Sequence, residues 1–299
     1  MSGRVNARAA DESEDATSYG VGGGADLPCA PPRRTSRTMN PDISQHEEWF
    51  AAYAARERAR EHGDPAPMDL KLKHTMAVLD NARRMAESEG FAPALARACL
   101  LAALYHDVAR FEQYLRYHTF RDRESCNHGL LGVKILKREA RLAGEDAATR
   151  KIVLAAVGLH NRFVLPAHLP RETELAAHVV RDADKLDILR VMDEHLGGPG
   201  PYSPTVVLNL PDDPALAGQA VLRAALEGRV AAYADLRSVN DFRVLLNTWF
   251  FDMHFAASRR QFVEDGHARR LLEGLPSNAV YGPARAALLA RLDGADARG

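Results

Sequence analysis

Leu100-Leu101-Ala102-Ala103-Leu104-Tyr105-His106-Asp107-Val108-Ala109-Arg110-Phe111 reads as an apolar helical segment that carries an imidazole and a carboxylate side by side. At helical spacing His106 shares a line with Leu95, Cys99 and Ala102, and Asp107 shares the neighbouring line with Leu100 and Ala103, so both face a packed interior. A carboxylate there loses its hydration and must be paired, protonated or bound to a metal. Metal coordination employs both residues; a hydrogen-bonded His-Asp pair without chemistry is the alternative.

The rest of the chain adds to the first reading. His74 lies upstream in Lys73-His74-Thr75, and downstream come Asn127-His128-Gly129, Leu159-His160-Asn161 and Asp182-Ala183-Asp184-Lys185-Leu186-Asp187. The order is His, His-Asp, His, His, Asp. Neutral imidazoles and carboxylates suit borderline and hard divalent metals, and six such groups suit two ions sharing a carboxylate better than one ion. Alone, His74 would be a core histidine; the set makes it a ligand candidate.

With 299 residues, 46% of them hydrophobic, the chain can build a sizeable core. The net charge of -1 supplies no long-range field for a nucleic acid polymer or an anionic membrane. Cys29, Cys99 and Cys126 have no Cys-x-x-Cys spacing, which speaks against a disulfide framework or zinc ribbon and for a reducing, cytoplasmic setting. No apolar run reaches the ~20 residues of a membrane span. Walker loop, dinucleotide fingerprint, nucleophile elbow and internal repeat are all missing from the sequence.

Residues 1–42 mix Gly, Ala, Ser, Arg and acids without hydrophobic period and are expected to be a disordered tail. Helical patterns follow. Ser44 and Glu47 have capping-box spacing for a helix to about His62, and a second helix is expected from about Met68 to Glu89. Pro93 opens a third, which carries His106-Asp107. A polar and aromatic loop is expected over 112–124, with Ser125 as the cap of the helix bearing His128. Further helices are expected over 145–160, 172–194, 215–234, 240–265 and 283–292, with Val206-Val207-Leu208 as a short extended piece. Trp249, Phe250, Phe251, Met253 and Phe255 read as core. His254 and His267 lack partners at ligand spacing.

The order His74, His106-Asp107, Asp184 resembles the signature of the HD-domain metal-dependent phosphohydrolase superfamily, and His128 and His160 match the extra histidines of its two-metal members. Lys71-Leu72-Lys73-His74-Thr75, His106-Asp107-Val108-Ala109-Arg110-Phe111, Ser125-Cys126-Asn127-His128 and Arg181 to Asp187 resemble a group of bacterial HD-domain proteins, over roughly residues 45–270. The resemblance implies an all-α fold: an HD metal-binding core at 43–195 and a helical extension at 196–299 packed on it, one structural domain over 43–292. It selects Asp184 as the ligand, leaving Asp182 and Asp187 as solvated groups or as partners of the ligands. His74, His106, Asp107 and Asp184 would hold one ion, and Asp107 would bridge to a second held by His128 and His160, with a water between the ions as nucleophile.

The implied activity is hydrolysis of a nucleotide or other small phosphoester. Asp107 would be central, and Arg110 matches a position where relatives carry a basic residue facing phosphate. Lys185 is a second catalytic candidate, with Arg121 and Arg123 looser ones. Four imidazoles among six ligands favour Mn²⁺ or Fe²⁺ over Mg²⁺. The same ligand set also serves di-iron HD-fold oxygenases, and a metal-retaining sensor or structural domain without turnover is a third possibility. Absence of a Gly-Tyr-Pro and of a suitably placed Glu-Asp pair speaks against cyclic-dinucleotide phosphodiesterases and alarmone hydrolases.

Overall fold

Helix follows helix from Ser44 onward in the computed structural model, which describes residues 41–198, 200–204 and 206–296. The expectation for residues 1–40 therefore lies outside the described residues. The helices are α1 (Ser44–Arg58), α2 (Ala66–Ser88), α3 (Pro93–Tyr105), α4 (Ala109–Tyr117), α5 (His128–Arg138), α6 (Ala147–Leu159) and α7 (Arg171–Leu196). They continue as α8 (Gln219–Glu227), α9 (Val239–Thr248), α10 (Ala256–Glu264), α11 (His267–Glu273) and α12 (Gly282–Asp296). Short 3-10 turns occupy Asp122–Glu124, Tyr233–Asp235 and Trp249–Asp252, and there is no strand among the described residues. The fold is all-α.

The centre of the molecule is α3. Its residues from Ala98 to Tyr105 are completely buried, as a helix that is apolar on every side must be. Around it stand α2, α6 and α7, with α7 packed on both α2 and α6; α5 covers α6, and α4 lies between α5 and α1. The C-terminal helices pack among themselves and reach the core through α10 and α11 on α7 and α10 on α2. One hydrophobic cluster runs from Ile43 to Leu292, so the region after residue 196 shares the core of the region before it.

Several element boundaries differ from the sequence expectations, each for a local reason. Ser44 does not cap α1: Asp42 Oδ1 accepts the Ser44 N–H at 2.9 Å and Ile43 holds the capping position. The helix through His106-Asp107 is two helices, α3 and α4, with residues 106–108 as a turn between them. Residues 112–117 of the expected 112–124 loop are helical, because Phe111, Glu112, Gln113 and Tyr114 are buried along α4, which ends where His118 turns left-handed. Asn127, not Ser125, caps α5 by accepting the Leu130 N–H. The expected 215–234 helix starts later and stops at Gly228, whose φ of +69° ends α8. The expected 240–265 helix is interrupted at 253–255, where Asp182 takes the N–H groups of His254 and Phe255. Val206-Val207-Leu208 forms no extended piece, since Leu208 and Asn209 have positive φ and turn the chain.

Candidate metal centre

Four of the six candidate ligands sit at helix ends. His106 caps the C-terminus of α3, Asp107 stands in the turn after it, His128 opens α5 and His160 closes α6; His74 and Asp184 come from within α2 and α7. The long helices fix the frame, and the ends point side chains into the space that α2, α3, α5, α6 and α7 enclose.

The six form two groups that could each hold a metal ion: His74, His106 and Asp184, and Asp107, His128 and His160. Asp184 Oδ1 lies 3.0 Å from His74 Nε2 and 3.7 Å from His106 Nε2. Asp107 joins the groups. Its Oδ2 faces the first, 3.8 Å from His74 Nε2 and 3.6 Å from His106 Nε2. Its Oδ1 faces the second, 3.4 Å from His128 Nε2 and 3.9 Å from His160 Nε2.

Every imidazole spends its Nδ1 on an oxygen outside the groups. His74 Nδ1 meets Asp187 Oδ2 at 2.6 Å, His106 Nδ1 donates to Ala103 O at 2.7 Å and His160 Nδ1 to Val157 O at 2.8 Å. His128 Nδ1 meets both oxygens of Asp122, at 2.8 and 2.7 Å. A proton fixed on Nδ1 leaves Nε2 as a bare lone pair, and all four Nε2 atoms converge. His74 Nε2 and His106 Nε2 are buried without a hydrogen bond, and the Nε2 atoms of His128 and His160 stand 2.9 Å apart. Two neutral imidazoles tautomerised this way would set lone pair against lone pair, which a cation between them relieves. The donor set and its orphaned nitrogens thus fit divalent metal.

Electrostatics agree. Burial pushes the Asp107 carboxyl up, but Lys71, His106, Arg110 and His128 together hold it well below the usual carboxylate range. Asp184 is likewise held low against its burial by His74 and His106. Burial lowers His106, and brings His128 and His160 down to about 4, with Arg110 adding to the effect on His128 and His106 to that on His160. His74 moves the other way: burial and Lys71 lower it, but Asp184 and Asp187 outweigh them. The centre is therefore ionised carboxylates facing mostly neutral imidazoles at neutral pH, the protonation states that bind metal.

The other sequence candidates are distributed less centrally. Arg110 donates through Nε to Asp107 Oδ1 at 3.1 Å and through Nη1 to Gln113 Oε1, Phe120 O and Asp122 Oδ1, so most of its fork is held by the protein. Lys185 is not brought to the centre: its ammonium bonds Asp252, which also takes Arg181. Arg121 donates to Glu124 and to Leu208 O, and Arg123 is exposed. Asp187 joins the site as the partner of His74. Asp182 is buried rather than solvated and serves the C-terminal helices, accepting from His254 N, Phe255 N and Ser258 Oγ.

Sequence reasoning missed four residues. Lys71 Nζ donates to Asp107 Oδ2 at 2.6 Å. Asp122 orients His128, and Asn161 donates to Asp122 Oδ2 at 3.0 Å. Tyr233, half exposed as a residue, is within electrostatic reach of the centre: burial and then Asp184 push its phenol up, and Arg110 opposes them. Lys71 offered the one usable signal, lying one helical turn before His74 on the same face.

The family model for the HD domain matches residues 72–189, a span from α2 into α7 that contains all six candidate ligands. The chain carries an HD domain. HD domains are helical, bind divalent metals and are commonly hydrolases. No curated protein and no solved structure matches this chain.

Proposed function

We propose that this HD domain is a two-metal phosphohydrolase acting on a nucleotide or other small phosphoester. The observation that carries the reading is the division of labour at Asp107, whose Oδ2 faces His74, His106 and Asp184 while its Oδ1 faces His128 and His160. A carboxylate placed in this way would serve as a ligand to both groups, so that each could hold one ion. Bound divalent ions would supply a water of lowered pKa and neutralise charge on a phosphoryl group.

The chain's own residues prepare that chemistry. Asp187 and Asp122 fix the tautomers of His74 and His128, and backbone carbonyls fix those of His106 and His160, so the ligands are oriented before anything binds. Lys71 and Arg110 flank Asp107 and favour an anion beside it. Asp107, Asp184, Asp122 and Asp187 against Lys71, Arg110 and Arg190 leave the centre slightly negative, and two divalent ions make it positive, which suits a phosphoryl dianion.

The test is turnover of a nucleotide and phosphoester panel by protein reconstituted with Mn²⁺, Fe²⁺ or Mg²⁺, with and without oxygen. Phosphate release is expected, greater with Mn²⁺ or Fe²⁺ than with Mg²⁺. No release across the panel, together with oxygen-dependent consumption of an organic substrate by the iron form, would replace hydrolysis by oxygenase chemistry.

A further inference from the structure

We infer that Lys71 is the residue that reads the substrate's phosphoryl group, with Arg110 acting mainly to position the centre; this rests on the phosphohydrolase reading above. Both cations touch the bridging carboxylate, Lys71 at Oδ2 and Arg110 at Oδ1, and both lie against the Phe120 ring, 5.5 and 5.7 Å from its centroid. Each keeps two N–H protons without a partner among the described residues, on Arg110 Nη2 and on Lys71 Nζ, and the two differ in how freely those protons can be aimed. Arg110 uses Nε and Nη1 on Asp107, Gln113, Phe120 O and Asp122, and through Asp122 it is tied to His128. Its side chain is only 13% exposed.

Lys71 has one hydrogen-bond partner among the described residues, Asp107, so two of its three ammonium protons are free. Its side chain is 17% exposed and that of Asp184 21%, although the Asp107 carboxylate between them and the histidines is 3% exposed, so the ammonium is open to solvent where the carboxylate it bonds is not. An ammonium on a four-carbon stem can turn its remaining protons to a new acceptor without releasing the first, whereas the Nε and Nη1 bonds of Arg110 fix the plane of its guanidinium and with it the direction of the Nη2 protons. Lys71 also stands one turn before His74 on α2, which sets its charge against the half of the centre formed by His74, His106 and Asp184. The chemistry this geometry recognises is a tetrahedral phosphoryl oxyanion at the Oδ2 side of Asp107.

Calorimetric binding of orthophosphate to the Mn²⁺-loaded full chain, with metal content determined on the same samples, tests the assignment in wild type, Lys71→Met and Lys71→Arg. Expected are a Kd for orthophosphate weakened about tenfold or more in Lys71→Met, partial recovery in Lys71→Arg, and metal content equal to wild type. KM for any phosphoester that is turned over should rise in parallel. An unchanged orthophosphate Kd in Lys71→Met would overturn the inference, and so would loss of metal from that variant, which would make the lysine a structural counter-ion. The two readings fail separately. Wild-type turnover that Lys71→Met leaves intact would discard the lysine and keep the hydrolase; orthophosphate binding that depends on Lys71, without turnover of any phosphoester, would discard the hydrolase and keep the lysine.

Discussion

An imidazole offers Nε2 to a metal only when its other nitrogen is told to keep the proton, and here Asp122 and Asp187 give that instruction to His128 and His74. Asp122→Ala should weaken metal binding at the half formed by Asp107, His128 and His160 by 10- to 100-fold, as order of magnitude, and leave the other half nearly intact. Metal titration followed by elemental analysis would show this as a shift from two tight equivalents to one. Asp107→Ala should empty both halves, whereas His160→Ala should empty one; two retained equivalents in Asp107→Ala would refute the bridge. Among the six candidates, His106, Asp107, His128 and His160 stood out in the sequence as polar groups on otherwise apolar lines, His74 through the set as a whole, and Asp184 through the resemblance to HD-domain proteins. Asp122, Asn161 and Tyr233 did not, since they come from irregular segments whose polar residues look like any solvated loop.

The join between α5 and α6 sets the spacing of His128 and His160, and Gly129 makes that join close. A Cβ on residue 129 would lie 2.9 Å from Val157 O and 3.1 Å from Asn161 Oδ1. Gly129→Ala should therefore push α5 away from α6, lowering stability by about 1–3 kcal/mol and weakening the second ion, which urea unfolding and metal titration would register. On the far side of α7, Asp182→Ala should leave the N–H groups of His254 and Phe255 unsatisfied and cost about 3 kcal/mol in the same unfolding measurement. Helix content was legible from period and helix ends were not. Periodicity ran straight through Thr248 to Phe255, where a carboxylate from another helix claims the backbone, and through Tyr105 to Ala109, where the chain turns at its most apolar stretch.

For the whole molecule, acid should be destabilising well above the range where free carboxylates titrate. His128, His160 and His178 have pKa values lowered to about 4 by burial, with Arg110, His106 and His254 the next contributors respectively. Between the ordinary histidine value of about 6.5 and about 4 the unfolded chain takes up protons that the folded chain refuses. Their contribution is full above that window and disappears as pH falls through it. His74, raised by Asp184 and Asp187, acts oppositely, contributing below about 6.5 and losing its effect as pH rises past its folded value. With His46 and His106, which burial also lowers, five lowered histidines outnumber one raised, so chelator-treated protein should melt at a lower temperature at pH 5 than at pH 8. Saturating Mn²⁺ at pH 8 should raise the melting temperature by roughly 5–10 °C, as binding to the folded state alone requires at about 100-fold excess over Kd. No helix among the described residues is long and apolar enough to cross a membrane.

Chain order gives the two halves of the centre different histories. Asp107, His128 and His160 are all in place once α6 has been made, but His74 waits for Asp184 and for Asp187, 113 residues further along. A chain emerging from the ribosome N-terminus first can close the shorter loops before the longer one, so the group of Asp107, His128 and His160 can assemble while α7 is still being synthesised and the group of His74, His106 and Asp184 only afterwards. On the two-metal reading, loading would be a sequence of two events, with the arrival of α7 as the step that completes it.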